Sequence, residues 1–151
     1  MKLFKKQKGF TLIELLVVIG ILAVLLAITL IAINPAKQFQ QANDTQRRSD
    51  VNAILNAVDQ YMSDKQGALP AGLAAVDDGD SVAVSSAGTG AAFCNALTPE
   101  YLAKLPVDPL KTIGNCAAYD TGYTITKKLN KRITVSATAE RSENDPIEVT
   151  R

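Results

Sequence analysis

The hydrophobic pattern divides the chain near residue 34. Between Leu15 and Ile33, nineteen consecutive residues carry no charge, and only Gly20 and Thr29 interrupt their aliphatic character. An uncharged apolar run of this length predicts a single helix. At about 1.5 Å of rise per residue, such a helix just crosses the roughly 30 Å hydrocarbon core of a bilayer. Asn34-Pro35 falls where the run ends. A proline removes one backbone hydrogen bond and clashes with the preceding turn, which predicts a kink or a locally melted turn there. Beyond it the pattern becomes one-sided. Val51, Ile54, Leu55, Val58, Tyr61 and Met62 recur at spacings of three and four, whereas Arg47, Arg48, Asp50, Gln60, Ser63 and Asp64 stay off that stripe. This predicts an amphipathic helix from about Ala36 to Lys65, stopped by Gly67.

The rest of the chain reads in shorter periods. Residues 67 to 92 are rich in Ala, Gly, Ser and Asp and predict a loop region with at most one strand, Ser81 to Ser85. Thr98-Pro99-Glu100 has the form of a helix start, with Thr as N-cap, Pro at the first position and an acid in the first turn, and Pro106 would end that helix. Alternation comes next. Tyr123, Ile125 and Lys127 predict one side of a strand, and Ile133, Val135, Ala137 and Ala139 one side of the next, joined by a turn at Leu129-Asn130-Lys131. A further short strand is expected at Ile147 to Val149. An antiparallel sheet packed on the amphipathic helix buries both apolar faces, so the fold class is α+β.

Charge and composition narrow the function. Lys2, Lys5, Lys6 and Lys8 place four positive charges in the first nine residues, and the remainder holds 12 basic against 15 acidic residues. That balance argues against nucleic acid as a partner of the chain as a whole, leaving only a local patch as a way to contact it. The lysines ahead of the apolar run orient it, keeping the start cytoplasmic and exporting the remainder of the chain. The chain has no histidine, which removes the commonest general base and metal ligand. Cys94 and Cys116 are the two cysteines. An even pair in an exported segment predicts a disulfide, which by chain entropy contributes roughly 3 kcal/mol. There is no C-x-x-C spacing to suggest a redox pair. Arg47 and Arg48 are expected to be solvated or paired with Asp44 and Asp50 rather than to hold a phosphate. Asp77-Asp78-Gly79-Asp80 reads as a solvated turn, since it lacks the spaced ligands of a calcium loop. The tyrosines Tyr101, Tyr119 and Tyr123 are expected in core or rim packing.

An ordinary secretory signal also begins with basic residues and an apolar stretch. Here the run is longer than the usual core of such a signal, no small-x-small site comes after it, and a carboxylate, Glu14, stands at its start. An acid inside a membrane helix is a functional-site candidate by default. The string Lys8-Gly9-Phe10-Thr11-Leu12-Ile13-Glu14-Leu15-Leu16-Val17-Val18-Ile19 resembles the N-terminal signature of type IV pilins and pseudopilins. The resemblance implies cleavage between Gly9 and Phe10 by a prepilin peptidase, N-methylation of Phe10, and use of Glu14 in assembly. Glu14 of one subunit would then pair with the protonated α-amine of a neighbour and fix their axial stagger, the plainer alternative being that it only favours the positive end of its own helix dipole.

The organisation expected is a basic leader at 1–9, a membrane and assembly helix at 10–34, an amphipathic helix at 35–66 and a globular head at 67–151. Leu105-Pro106-Val107-Asp108-Pro109 resembles a second, shorter stretch of the family, although Leu110-Lys111 replaces the aromatic and glycine found after it in type II secretion pseudopilins. The implied function is a subunit of an extracellular helical homo-oligomer, parked in the cytoplasmic membrane before assembly. Its partners would be the peptidase and methyltransferase, the pilus assembly machinery and minor pilins. The alternative is a pseudopilin of a type II secretion or competence system. No catalytic residue, cofactor or metal site is expected: no nucleophile and base, ligand cluster or phosphate loop can be assembled from these residues.

Overall fold

The structure is a computed structural model that describes residues 9–112, 114–129, 132–141, 143 and 145–151. Lys2, Lys5, Lys6 and Lys8 of the expected leader, and Asn130 and Lys131 of the expected turn, lie outside the described residues. Two units are distinguished, one ending at Gln38 and one running from Phe39 to Arg151.

In the first unit, helix α1 (Leu12–Ile33) has no buried residue and is long and apolar enough to cross a membrane. Its aliphatic side chains are about half exposed or more along the whole length. The helix ends at Asn34, whose backbone is left-handed (φ 47°, ψ 79°). Asparagine tolerates that conformation better than other residues with a Cβ, and Pro35 then opens helix α2 (Pro35–Asp64) at the position where a missing N–H costs nothing. The break expected at Asn34-Pro35 is therefore a change of helix.

In the second unit, α2 supplies Val51, Ile54, Leu55, Ala57 and Val58 to the core. The helix stops within a residue of the expected end: Lys65 and Gly67 bond back to Tyr61 and Met62, and Gly67 takes φ +87°. Strands β1 (Ser81–Ser85), β2 (Asp120–Lys127), β3 (Ile133–Ala137) and β4 (Ile147–Thr150) form one antiparallel sheet in the order β1-β2-β3-β4. The register places Val82 opposite Ile125, Ile125 opposite Val135, and Val135 opposite Val149. Tyr123, Ile125, Ile133, Val135 and Ile147 are buried in the same cluster as the α2 stripe. The alternation of β2 and β3 thus selects the core face as expected.

Helix α3 (Gly90–Leu97) lies in the long β1–β2 connection, and it corrects the sequence reading there. Thr98 is the C-cap of α3 and not the N-cap of a following helix; its backbone is extended (φ −113°, ψ 142°), and residues 98–101 form a turn. A residue before proline is pushed out of the helical region, so Pro99 terminates α3 rather than starting a new helix. Phe93, Cys94 and Leu97 bury the inner face of α3. Gly72 is required beside it, because at φ +91° a Cβ would collide with the Thr89 carbonyl.

Candidate functional site

Three places carry the residues singled out by the sequence. The first is the start of α1. Thr11 is the N-cap, in extended conformation (φ −80°, ψ 153°), and it forms a reciprocal capping box with Glu14. The Thr11 hydroxyl donates to Glu14 Oε2 at 2.7 Å and accepts the Glu14 N–H at 3.2 Å, while the Thr11 N–H donates to the same Oε2 at 2.8 Å. Two of the four orphan N–H groups at the helix start are thereby satisfied by one residue pair. The carboxylate is held over the first turn and retains acceptor capacity for a further donor. Phe10, immediately before the cap, is 90% exposed.

Two glycines of this segment have no reason to be glycine within the chain's own described fold. A Cβ added at Gly9 or at Gly20 would meet nothing within 4 Å, and neither residue has a positive φ. Gly20 nevertheless costs a helix interior roughly 1 kcal/mol relative to alanine. Small residues in an apolar helix let a second helix approach closely, which is the use that such a position supports.

The second place is Arg47, where the expected pairing with Asp44 is present but the expected solvated position is corrected. The hydrophobic pattern puts Arg47 on the solvated face of α2; its side chain is 3% exposed. It donates from Nε and Nη2 to the two oxygens of Asp108 at 2.6 and 3.1 Å, from Nη1 to Asp44 Oδ1 at 2.9 Å and from Nη2 to Glu140 Oε1 at 3.0 Å. The fork geometry suits a guanidinium and no other cation. Asp44 in turn accepts the backbone N–H of Glu140 and of Arg141, at 2.8 and 3.3 Å. The result ties the segment before β2 and the β3–β4 connection to α2. Arg48 points away and is exposed, so the pair does not act together.

Charge states are set by these contacts. Three carboxylates hold the Arg47 guanidinium protonated, the hydrogen bond to Asp108 being the largest effect. Burial works to raise the Asp108 carboxyl, but the bonds from Arg47 and from the Leu110 N–H outweigh it and leave its pKa below the ordinary 3.8. Asp50, also expected off the buried stripe, is buried and accepts the Tyr123 hydroxyl at 2.7 Å and Gln46 Nε2 at 2.7 Å. Burial, and then the neighbouring Asp50, push the Tyr123 phenol well above its usual range.

The third place is the Cys94–Cys116 disulfide, with a Cα–Cα distance of 5.4 Å. It joins α3 to the segment leading into β2, the pairing that the sequence predicts. Asp77-Asp78-Gly79-Asp80 forms an exposed turn in which Asp78 meets Lys127 Nζ at 2.8 Å. Tyr119 is buried and donates to the Gly90 carbonyl at 2.9 Å, and Tyr101 stacks edge-on against Tyr61 with centroids 5.7 Å apart. Among the described residues no group of three or more acidic, histidine or cysteine side chains is arranged to hold a metal ion.

The features to be accounted for are a helix apolar on every side, closed at its start by the Thr11–Glu14 capping box and long enough to cross a membrane, and a small disulfide-linked α+β head. Comparison with known proteins points to the family. The prokaryotic N-terminal methylation motif matches residues 4–30. The fimbrial protein EcpC of Eikenella corrodens is 40% identical over 113 residues, 65% of this chain and 67% of that protein. No solved structure matches the chain. The chain belongs to the type IV pilin family, and is a structural subunit of that kind.

Proposed function

We propose that this chain is a prepilin, hydrolysed between Gly9 and Phe10 on the cytoplasmic side of the membrane and N-methylated on Phe10. It then assembles into a surface pilus through residues 10–34. The head at 67–151, carried on the amphipathic helix at 35–66, forms the part exposed along the filament. The observation that carries this reading is the start of α1: an exposed Gly9-Phe10 followed by a carboxylate already hydrogen-bonded at a helix end. Glycine at position 9 answers no need of the chain's own described fold, which suits a residue read by a peptidase.

Glu14 and the new terminus complement one another. Cleavage creates a positive α-amine at Phe10, beside the cap residue Thr11. The Glu14 carboxylate already uses Oε2 within its own chain, and Oε1 is the oxygen offered to the amine of a neighbouring copy. An ion pair buried among apolar helices is sensitive to displacement, so it sets the stagger between subunits. The assembly machinery and minor pilins are the further partners of this reading. The fimbrial relative supports a surface filament over a secretion pseudopilin.

N-terminal mass spectrometry of surface-sheared material tests the processing step. A peptide beginning with methylated Phe10 is expected; a chain starting at Met1, or a soluble monomer trimmed near residue 33, sinks the proposal. Glu14→Ala should leave cleavage intact and deplete filaments. Normal pilus yield from that variant would remove the pairing mechanism while leaving the processing step standing.

A further inference from the structure

We infer that the surface joining copies of this chain extends past α1 and includes Phe39, which inserts against a second copy in the filament. The inference rests on the proposed assembly through α1. Its starting observation is an apolar side chain without cover: Phe39 is 71% exposed on α2, between Lys37-Gln38 and Gln40-Gln41. Helical spacing puts it in one row with Asn43, Arg47 and Val51, the row that faces the head. Asn43 is half-buried, and Arg47 and Val51 are buried. The buried face of α2 therefore continues one turn beyond what the head covers, and its last member is a phenyl ring.

A second copy is the occupant that the observations favour. Phe39 lies six positions after Ile33, the last residue of α1, a reach of at most about 20 Å even at full extension. Helices packed side by side lie about 8–10 Å apart. Wherever the heads sit, packing α1 helices together thus brings residue 39 of each copy near its neighbours. Lipid is the competing occupant. Side chains that settle at a bilayer interface are typically Trp and Tyr, whose polar group reaches water, and phenylalanine lacks one.

Photocrosslinking in the full chain separates the two. Benzoylphenylalanine is placed at Phe39 and, in a parallel strain, at Leu22 within α1. Covalent dimers and higher species in sheared pili from the Phe39 position are expected, together with their absence from the same subunit held in the membrane of an assembly-deficient strain. Dimers from the Leu22 position with none from Phe39 overturn this inference and leave assembly through α1 intact. Dimers from neither position overturn both, and lipid adducts alone at Phe39 in the pili assign the ring to the membrane.

Phe39→Ala adds a quantitative arm: sheared pilus yield should fall about tenfold, in line with one lost aromatic burial per subunit contact. Phe39→Leu, which keeps an apolar side chain, should restore most of it. An unchanged yield in Phe39→Ala overturns the inference. A lowered melting temperature of the detergent-solubilised Phe39→Ala subunit would likewise overturn it, because the ring would then serve the head's own fold.

Discussion

At the scale of single residues, Arg47 is where stability is concentrated. A buried cation with three carboxylates balances a large desolvation cost against several charge-assisted bonds, and removing one partner leaves the others uncompensated. Arg47→Met should therefore destabilise the head by about 3 kcal/mol, even though methionine fills similar space. Arg47→Lys should recover only part of this, since an ammonium cannot bond both oxygens of Asp108 and the other two acids at once. Urea unfolding of the detergent-solubilised chain measures both. The pH dependence has a definite sign. The folded-state pKa of Asp108 lies below its ordinary value, so its contribution is fully present above about pH 4 and is lost as pH falls through the lowered value. In Arg47→Met the lowering bond is gone while the partial burial remains, so the acid limb of the stability curve should begin at higher pH than in the unaltered chain. Identical acid limbs in the two proteins would show that Asp108 does not owe its charge state to Arg47.

At the scale of elements, legibility tracks periodicity. Helix α1 and the strands β2 and β3 are readable because composition and alternation select a single burial pattern. The stripe on α2 is readable only from Val51 onward. Its continuation through Arg47 and Asp44 keeps the same steps of four and three, but polar residues count as exposed until their partners are known; besides Asp44, three residues away, those of Arg47 lie 61 and 93 residues away. Helix α3 escapes a reading of the sequence for a different reason. Eight residues give barely two turns, and Thr98-Pro99 offers a start signal that Phe93 and Leu97 override by burying against the core. The Cys94–Cys116 bond fastens this short helix to the segment leading into β2. Replacing both cysteines by serine should cost about 3 kcal/mol, less whatever the reduced loop retains in structure. A thermal melt in detergent should place the loss in the whole head transition, because Cys94 belongs to the common core. A variant pair that melts with the native midpoint would make the bond dispensable for stability.

At the scale of the whole molecule, α1 is a helix in which the described residues bury no side chain. Under the proposed function something else replaces water around it: lipid before assembly, and other copies of α1 afterwards. The two solvents differ in what disturbs them. Apolar contact is strengthened by salts that raise the cost of hydrating apolar surface, whereas a micelle offers the helix the same cover as a neighbouring subunit. The outer surface behaves differently, since the chain beyond residue 34 holds two more acidic than basic residues, 14 against 12, and like-charged filaments repel over a Debye length of about 8 Å at physiological ionic strength. Raising sodium chloride to about 1 M shortens that length to roughly 3 Å. Filaments should then remain assembled and begin to bundle, while a mild detergent at low salt should release monomers without bundling. Sedimentation at low and at high speed separates bundles, single filaments and monomers in one experiment. Release of monomers by salt alone would mean that charge pairs between heads, and not the burial of α1, hold the filament together.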